Sequence, residues 1–203
     1  MKKSDFNIEH QNHHIESKII ASLERIAQAF RILLWQESVT YALTPIQIQL
    51  LIFIHYHQIE KCKVSYLANE FNLSKATISD TIKLLEQKQL IQKIFDQSDS
   101  RSYTIKLTKK GKEIALKTSF FSEEISKPIE QLHSEDKQNM LLGLLDIIRH
   151  LNSSGVITLQ RMCYTCTYYK SSHNGKQHYC NLLQQKLAIE DLRIDCPEHQ
   201  QLT

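Results

Sequence analysis

Val64-Ser65-Tyr66-Leu67-Ala68-Asn69-Glu70-Phe71-Asn72-Leu73-Ser74-Lys75-Ala76-Thr77-Ile78-Ser79-Asp80-Thr81-Ile82-Lys83-Leu84-Leu85-Glu86-Gln87 decides the fold. Val64, Leu67, Ala68 and Phe71 recur at steps of one helical turn, as do Ile78, Ile82 and Leu85, so each half carries one apolar helical face. A tight connection separates the two, and Ser74 stands where its hydroxyl can cap the first turn of the second helix. The outward face of that helix presents Lys75, Thr77, Ser79, Asp80 and Lys83. Short hydroxyls and two cations suit entry into a DNA major groove, where they meet base edges and phosphates.

Working outward, Ile91 to Phe95 and Tyr103 to Leu107 are rich in β-formers and flank the polar turn Asp96 to Arg101, which predicts a two-stranded wing. Thr108 predicts a helix cap, with Lys109, Lys110 and Lys112 beside it and a helical pattern running toward Ile125. Upstream, Ile15, Ile19, Leu23, Ile26, Phe30, Leu33 and Leu34 predict a long amphipathic helix. Thr44-Pro45 predicts the start of another, with Ile46, Leu50, Phe53 and Ile54 on its buried stripe and an end near His57. His55 and His57 read as packing or surface residues. The expected fold is mostly α with a small β-wing: an N-terminal helix over 1–42, a winged helix-turn-helix domain over 43–118, C-terminal helices over 119–155 and a Cys-rich module over 156–203.

Composition agrees with this class. Only four glycines and three prolines occur in 203 residues, and 41% are hydrophobic, enough for a helical core. The formal net charge is +3, yet Lys61 to Lys117 holds twelve basic against six acidic residues, a basic middle that favours a polyanion partner. Met1-Lys2-Lys3 leads into polar residues rather than an apolar stretch, and the longest strongly apolar run is Leu50 to Ile54, where a membrane helix needs roughly 20 residues. The expectation is a soluble, cytoplasmic chain with no membrane partner. With so few glycines there is no Walker loop, dinucleotide turn or nucleophile elbow, and no enzyme is expected.

From Leu43 to Gly111 the residues resemble the MarR family of bacterial transcriptional regulators. Leu43-Thr44-Pro45 resembles the family's opening of its second helix. Leu67-Ala68, Leu73-Ser74, Thr77-Ile78-Ser79 and Leu84-Leu85-Glu86 resemble its helix-turn-helix. Asp99-Ser100-Arg101, with Leu107-Thr108 and Gly111, resembles its wing. The resemblance implies a homodimer with interlocked terminal helices, Ser134 to Leu151 being the second dimerisation element, and a pseudo-palindromic double-stranded DNA operator. It implies a regulator, read as a repressor, with a small-molecule effector. It also implies that Ser74, Lys75, Thr77, Ser79 and Lys83 contact DNA, that Arg101 enters the minor groove and that Asp99 orients it. Asp80 departs from the family pattern: a carboxylate there reads a cytosine amine or repels phosphate.

The last forty-odd residues hold Cys163-Tyr164-Thr165-Cys166, Cys180 and Cys196-Pro197, while the preceding 160 contain only Cys62. In a reducing compartment such clustering points to a metal more than to disulfides. Cys163-x2-Cys166 is the spacing that presents two sulfurs to one metal, and Cys180 and Cys196 complete four ligands. Zinc is the first reading of this one centre per chain, sensory or structural, with His173, His178 and His199 as substitutes. A [4Fe-4S] redox or gas-sensing centre is the alternative, since the later cysteines are scattered and a proline follows the last. A dithiol redox protein is a third reading, disfavoured because no βαβ unit precedes the pair. Cys180 to Ile194 is expected to form a short helix, Tyr164, Tyr168, Tyr169 and Tyr179 to shield the site, and Cys62, between two lysines, to have no role or a lowered pKa.

Overall fold

The computed structural model describes residues 3–95, 102–172 and 177–202. Two helices, α1 (Ile8–His13) and α2 (Ile15–Tyr41), lead into α3 (Pro45–Tyr56), the central helix of the core. Thr44 caps α3 in a full capping box: its hydroxyl accepts from Gln47 N–H while the Gln47 side chain accepts from Thr44 N–H. Pro45 occupies the first helical position, where its missing N–H costs nothing.

The helix-turn-helix is α4 (Val64–Glu70) and α5 (Lys75–Gln87), with Ser74 accepting from Thr77 N–H. Between them Asn72 adopts the left-handed conformation (φ 50°), and Leu73 N–H reaches back to the Ala68 carbonyl at 2.9 Å. Asparagine tolerates that backbone better than most residues, which is how the chain turns without glycine. Strands β1 (Ile91–Phe95) and β2 (Tyr103–Leu107) pair antiparallel with Ile91 opposite Leu107 and Phe95 opposite Tyr103. Ile105 N–H also donates to the Cys62 carbonyl at 2.8 Å, tying the wing to the segment before α4. The main core gathers Ile48, Leu50, Leu51, Leu67, Ile78, Ile82, Leu85 and Ile105, all fully buried.

Thr108 caps α6 (Lys109–Thr118), which stops short of the expected Ile125. Its end is fixed by Thr118 and Ser119, whose hydroxyls donate to carbonyls of the last turn, and the chain restarts as α7 (Glu123–Glu130). The long α8 (Ser134–Ser153) follows, ended by Gly155 at φ 77°.

The apolar stripe of α2 is left largely uncovered within the chain: Ile15, Ile19, Ile26 and Phe30 are exposed and only Leu34 is buried. One expectation needs correction. The segment from Cys180 to Ile194 is not a helix but a strand, a turn and a 3-10 turn. Here β3 (Tyr169–Ser171), β4 (His178–Cys180) and β5 (Gln185–Leu187) form a small antiparallel sheet in that order. The turn between β4 and β5 passes through Gln184 at φ 51°, which prevents a helix from propagating there. Leu187 and Leu192 packed on one side made the stretch look helical, because a short apolar run has no distinctive period. Met162 and Leu192 bury themselves against Leu145 of α8, forming a second core that joins the tail to that helix. Among the described residues no single helix is long and apolar enough to cross a membrane.

Candidate functional site

On α5 the apolar residues Ile78, Ile82 and Leu85 point into the core, which forces the opposite face outward. Ser74, Lys75, Thr77 and Lys83 are exposed and Ser79 is half-buried beside them. Ser74 Oγ is shared between capping and a 2.8 Å hydrogen bond with Thr77 Oγ1. Asp80 forms an ion pair with Lys83 at 3.1 Å across one helical turn. It therefore neutralises its neighbour in the free chain, an interaction worth only ~0.5 kcal/mol at an exposed site, easily exchanged for a phosphate or a base. Asp99 and Arg101 lie outside the described residues.

The second arrangement is the cysteine site. Cys163 opens a 3-10 turn (Cys163–Thr165) that carries the chain to Cys166, whose N–H donates to the Cys163 carbonyl at 3.0 Å. The chain end clamps this knuckle from outside, with Thr167 N–H on the Gln200 carbonyl and Leu202 N–H on the Thr165 carbonyl. Cys180 ends β4 opposite Tyr169 of β3, and Cys196 is held by its N–H on the Arg161 carbonyl. All four cysteines line one cavity of about 30 Å³, with Tyr168, Tyr169, Leu182, Leu183 and Leu187 supplying apolar wall. Arg193 N–H donates to Cys163 Sγ at 3.2 Å, and the Arg193 guanidinium donates to Cys196 Sγ at 3.4 Å while pairing with Glu198. Burial pushes the Cys163 thiol above its ordinary value, opposed by that Arg193 N–H. The structure thus brings together the four cysteines singled out in the sequence. Among the described residues, however, no three His, Cys, Asp or Glu side chains are placed to hold a metal ion.

The histidine substitutes do not join them. His178 is buried and bonded through Nδ1 to the Tyr169 hydroxyl at 2.6 Å, and His199 is bonded through Nε2 to Thr165. His173 lies outside the described residues. Tyr168 and Tyr169 do wall the site, whereas Tyr164 packs on the second core and lies near Arg149 of α8. Cys62 is buried and its thiol is pushed up to about 11 by burial and by Glu60, so its lysine neighbours do not lower it. Alkylation of the native protein at neutral pH should leave Cys62 unmodified until denaturant is added, and peptide mass analysis showing early labelling would refute that burial.

Sequence reasoning missed the joint between the two arrangements. Arg161, 8% exposed, donates to Glu70 of α4 through Nη1 (2.5 Å) and Nη2 (3.1 Å), to Asp195 through Nε (2.5 Å) and Nη2 (3.0 Å), and to the Tyr66 hydroxyl (2.8 Å). Its guanidinium also lies 5.7 Å from the Phe53 ring centre and 5.8 Å from that of Tyr66. His57 Nε2 bonds to Asp195 Oδ2 at 2.6 Å while its ring stacks on Phe53. Burial would raise the Asp195 carboxyl, but the His57 and Arg161 hydrogen bonds hold it well below the usual carboxylate range. Asp195 precedes Cys196, so the helix-turn-helix and the cysteine site share one network. Nothing in the spacing of Glu70, Arg161 and Asp195 signals this, because the three are distant in sequence.

Residues 42–102 match the model of the MarR family. The chain is 26% identical over 101 residues to the HTH-type transcriptional regulator BilQ of Clostridioides difficile, a match spanning 50% of this chain and 68% of that protein. Its fold is similar to Staphylococcus aureus MepR solved as a DNA complex, with a TM-score of 0.57, 24% identity and coverage of 64% of this chain and 96% of that one. It is likewise similar to Streptococcus pneumoniae FabT in complex with DNA, with a TM-score of 0.57, 21% identity and coverage of 68% and 98%. Residues 42–102, where the winged helix-turn-helix is built, are thus the portion of the chain similar to the MarR family.

Proposed function

We propose that the chain is a dimeric, sequence-specific DNA-binding transcriptional regulator and a repressor, acting in the cytoplasm. Its Cys-rich tail is a metal-holding module that reports to the DNA-binding domain. The observation that carries the DNA-binding half is α5: one face locked in the core, the other offering Ser74, Lys75, Thr77, Ser79 and Lys83 from a capped, rigid helix. Wing residues Asp99 and Arg101 extend that surface by resemblance. The relatives solved with DNA, MepR and FabT, support the same use of the fold.

The test is binding of the full chain to a duplex that the protein itself selects from a random-sequence pool. Affinity is expected to fall steeply with salt, because each phosphate contact releases a condensed counterion. Lys75→Ala and Lys83→Ala should each reduce the salt slope by about one where the lysine meets a phosphate, and Arg101→Ala should weaken binding. A flat salt response would remove phosphate contact from the proposal.

The dimer reading rests on what α2 leaves uncovered. Ile15, Ile19, Phe30, Ile32, Trp35 and Val39 are all exposed along one helix, and Phe120 and Met140 are exposed downstream. An apolar surface of that extent marks an interaction site. A second copy is the occupant expected, and sedimentation should give twice the mass of one chain. A mass of one chain at micromolar concentration would defeat it. The selected operator should then contain two half-sites about one helical turn apart.

A further inference from the structure

The cysteine cavity is roomier than a lone ion needs. Four thiolates gripping one zinc sit about 2.3 Å from it, and a shell that tight leaves no free space among the sulfurs. Here Cys163, Cys166, Cys180 and Cys196 surround a cavity of about 30 Å³, larger than the roughly 10–15 Å³ that admits one water. They line the same cavity, yet no three of them are placed to hold one metal ion. Four cysteines around a space of that size suit a body with several metal atoms, each taking one thiolate.

The walls point the same way. Leu182, Leu183 and Leu187 from the β4–β5 hairpin, with Tyr168 and Tyr169, supply apolar wall beside the sulfurs, and Asp191, Arg193 and Glu198 complete the lining. The turn and strands that replaced the expected helix are what bring these leucines over the cysteines. Cluster properties are set in part by hydrogen bonds to the sulfurs, and that device is present. Arg193 supplies a main-chain N–H to Cys163 Sγ and a guanidinium N–H to Cys196 Sγ. The spacing also lacks the second close pair of a usual zinc knuckle.

We infer that Cys163, Cys166, Cys180 and Cys196 form the site of a [4Fe-4S] cluster, one thiolate to each iron. The inference rests on the reading of the tail as a metal-holding module and is independent of the DNA-binding half. Iron, acid-labile sulfide and zinc should be determined in the full-length chain purified without air. About four iron and four sulfide per chain, with little zinc, are expected. About one zinc per chain without sulfide would overturn the cluster while leaving the metal module standing, and absence of all three would overturn both. Cys180→Ser should lose the iron and sulfide, whereas Cys62→Ser, buried elsewhere in the main core, should retain both. Should Cys180→Ser fail to fold, Mössbauer spectra of the unaltered protein still distinguish a four-iron cluster from scattered ferric iron, and the latter would overturn the inference.

Discussion

Gly111→Ala is expected to destabilise the winged-helix domain by about 3 kcal/mol or more, and to lower its denaturation midpoint accordingly. A Cβ built on Gly111 would lie 1.9 Å from the Leu90 carbonyl oxygen and 2.9 Å from its carbon. Those are backbone atoms that cannot swing aside as a side-chain tip can. The Leu90 carbonyl is also held in place, accepting from Thr108 N–H at 3.0 Å and from Thr108 Oγ1 at 3.2 Å. Gly111 N–H in turn donates to Thr108 Oγ1 at 3.1 Å, so the cap of α6, the end of α5 and the start of the wing meet at one point. Relief of the clash requires moving α6 away from that junction. Overpacking in ordinary cores costs about 1–3 kcal/mol, and a clash with fixed backbone belongs at or above that range. Against a total stability of about 5–15 kcal/mol this is a large fraction. Urea unfolding followed by far-ultraviolet circular dichroism measures it, and an unchanged midpoint would contradict the close approach.

The same junction shows what was readable from sequence. Ser74, Thr44 and Thr108 were assigned as caps because a hydroxyl before an apolar-periodic run has a local chemical purpose, and each accepts the expected backbone N–H. The outward face of α5 was readable for a related reason: periodicity says which side of the helix is buried. Long-range electrostatics left no such trace. Arg161 is one basic residue in a polar stretch until folding sets it between Glu70 and Asp195, and His57 looked like a surface residue until Asp195 reached it. The tail hairpin was misread because three-residue strands carry too few residues for a period of two to declare itself. The exposed stripe of α2 is the converse case. Its helix was legible, but amphipathicity does not say whether the covering surface lies within the chain or on a second copy.

Arg161→Met is expected to release the tail from the helix-turn-helix and, under the proposed function, to make DNA affinity indifferent to removal of the metal proposed for the tail. Removing one member of a buried pair strands the other charge, at a cost of about 3–5 kcal/mol. The Glu70 side of the network fits that description, with side chains 9% and 20% exposed. The Asp195 side, 37% exposed, is screened by solvent and contributes less. Local cost should therefore fall near the lower end of the range, enough to detach a small module without unfolding the core behind Ile78 and Leu85. Arg161 is also where Cys196 is anchored, through its carbonyl and through Asp195, so a change at the sulfurs reaches α4 along a short path of directional bonds. On the other side Met162 and Leu192 hold the tail to Leu145 of α8. The tail thus touches α4 of the helix-turn-helix on one side and α8 on the other, and in the proposed dimer a shift there would alter the distance between the two α5 helices. Protease sensitivity between α8 and Cys163 should rise in Arg161→Met while the circular dichroism of the helices persists. In the unaltered protein, metal removal should change affinity for the selected duplex by at least several-fold, and in Arg161→Met that change should vanish. Equal responses in the two proteins would mean that the tail signals by another route, and no response in either would make its metal structural.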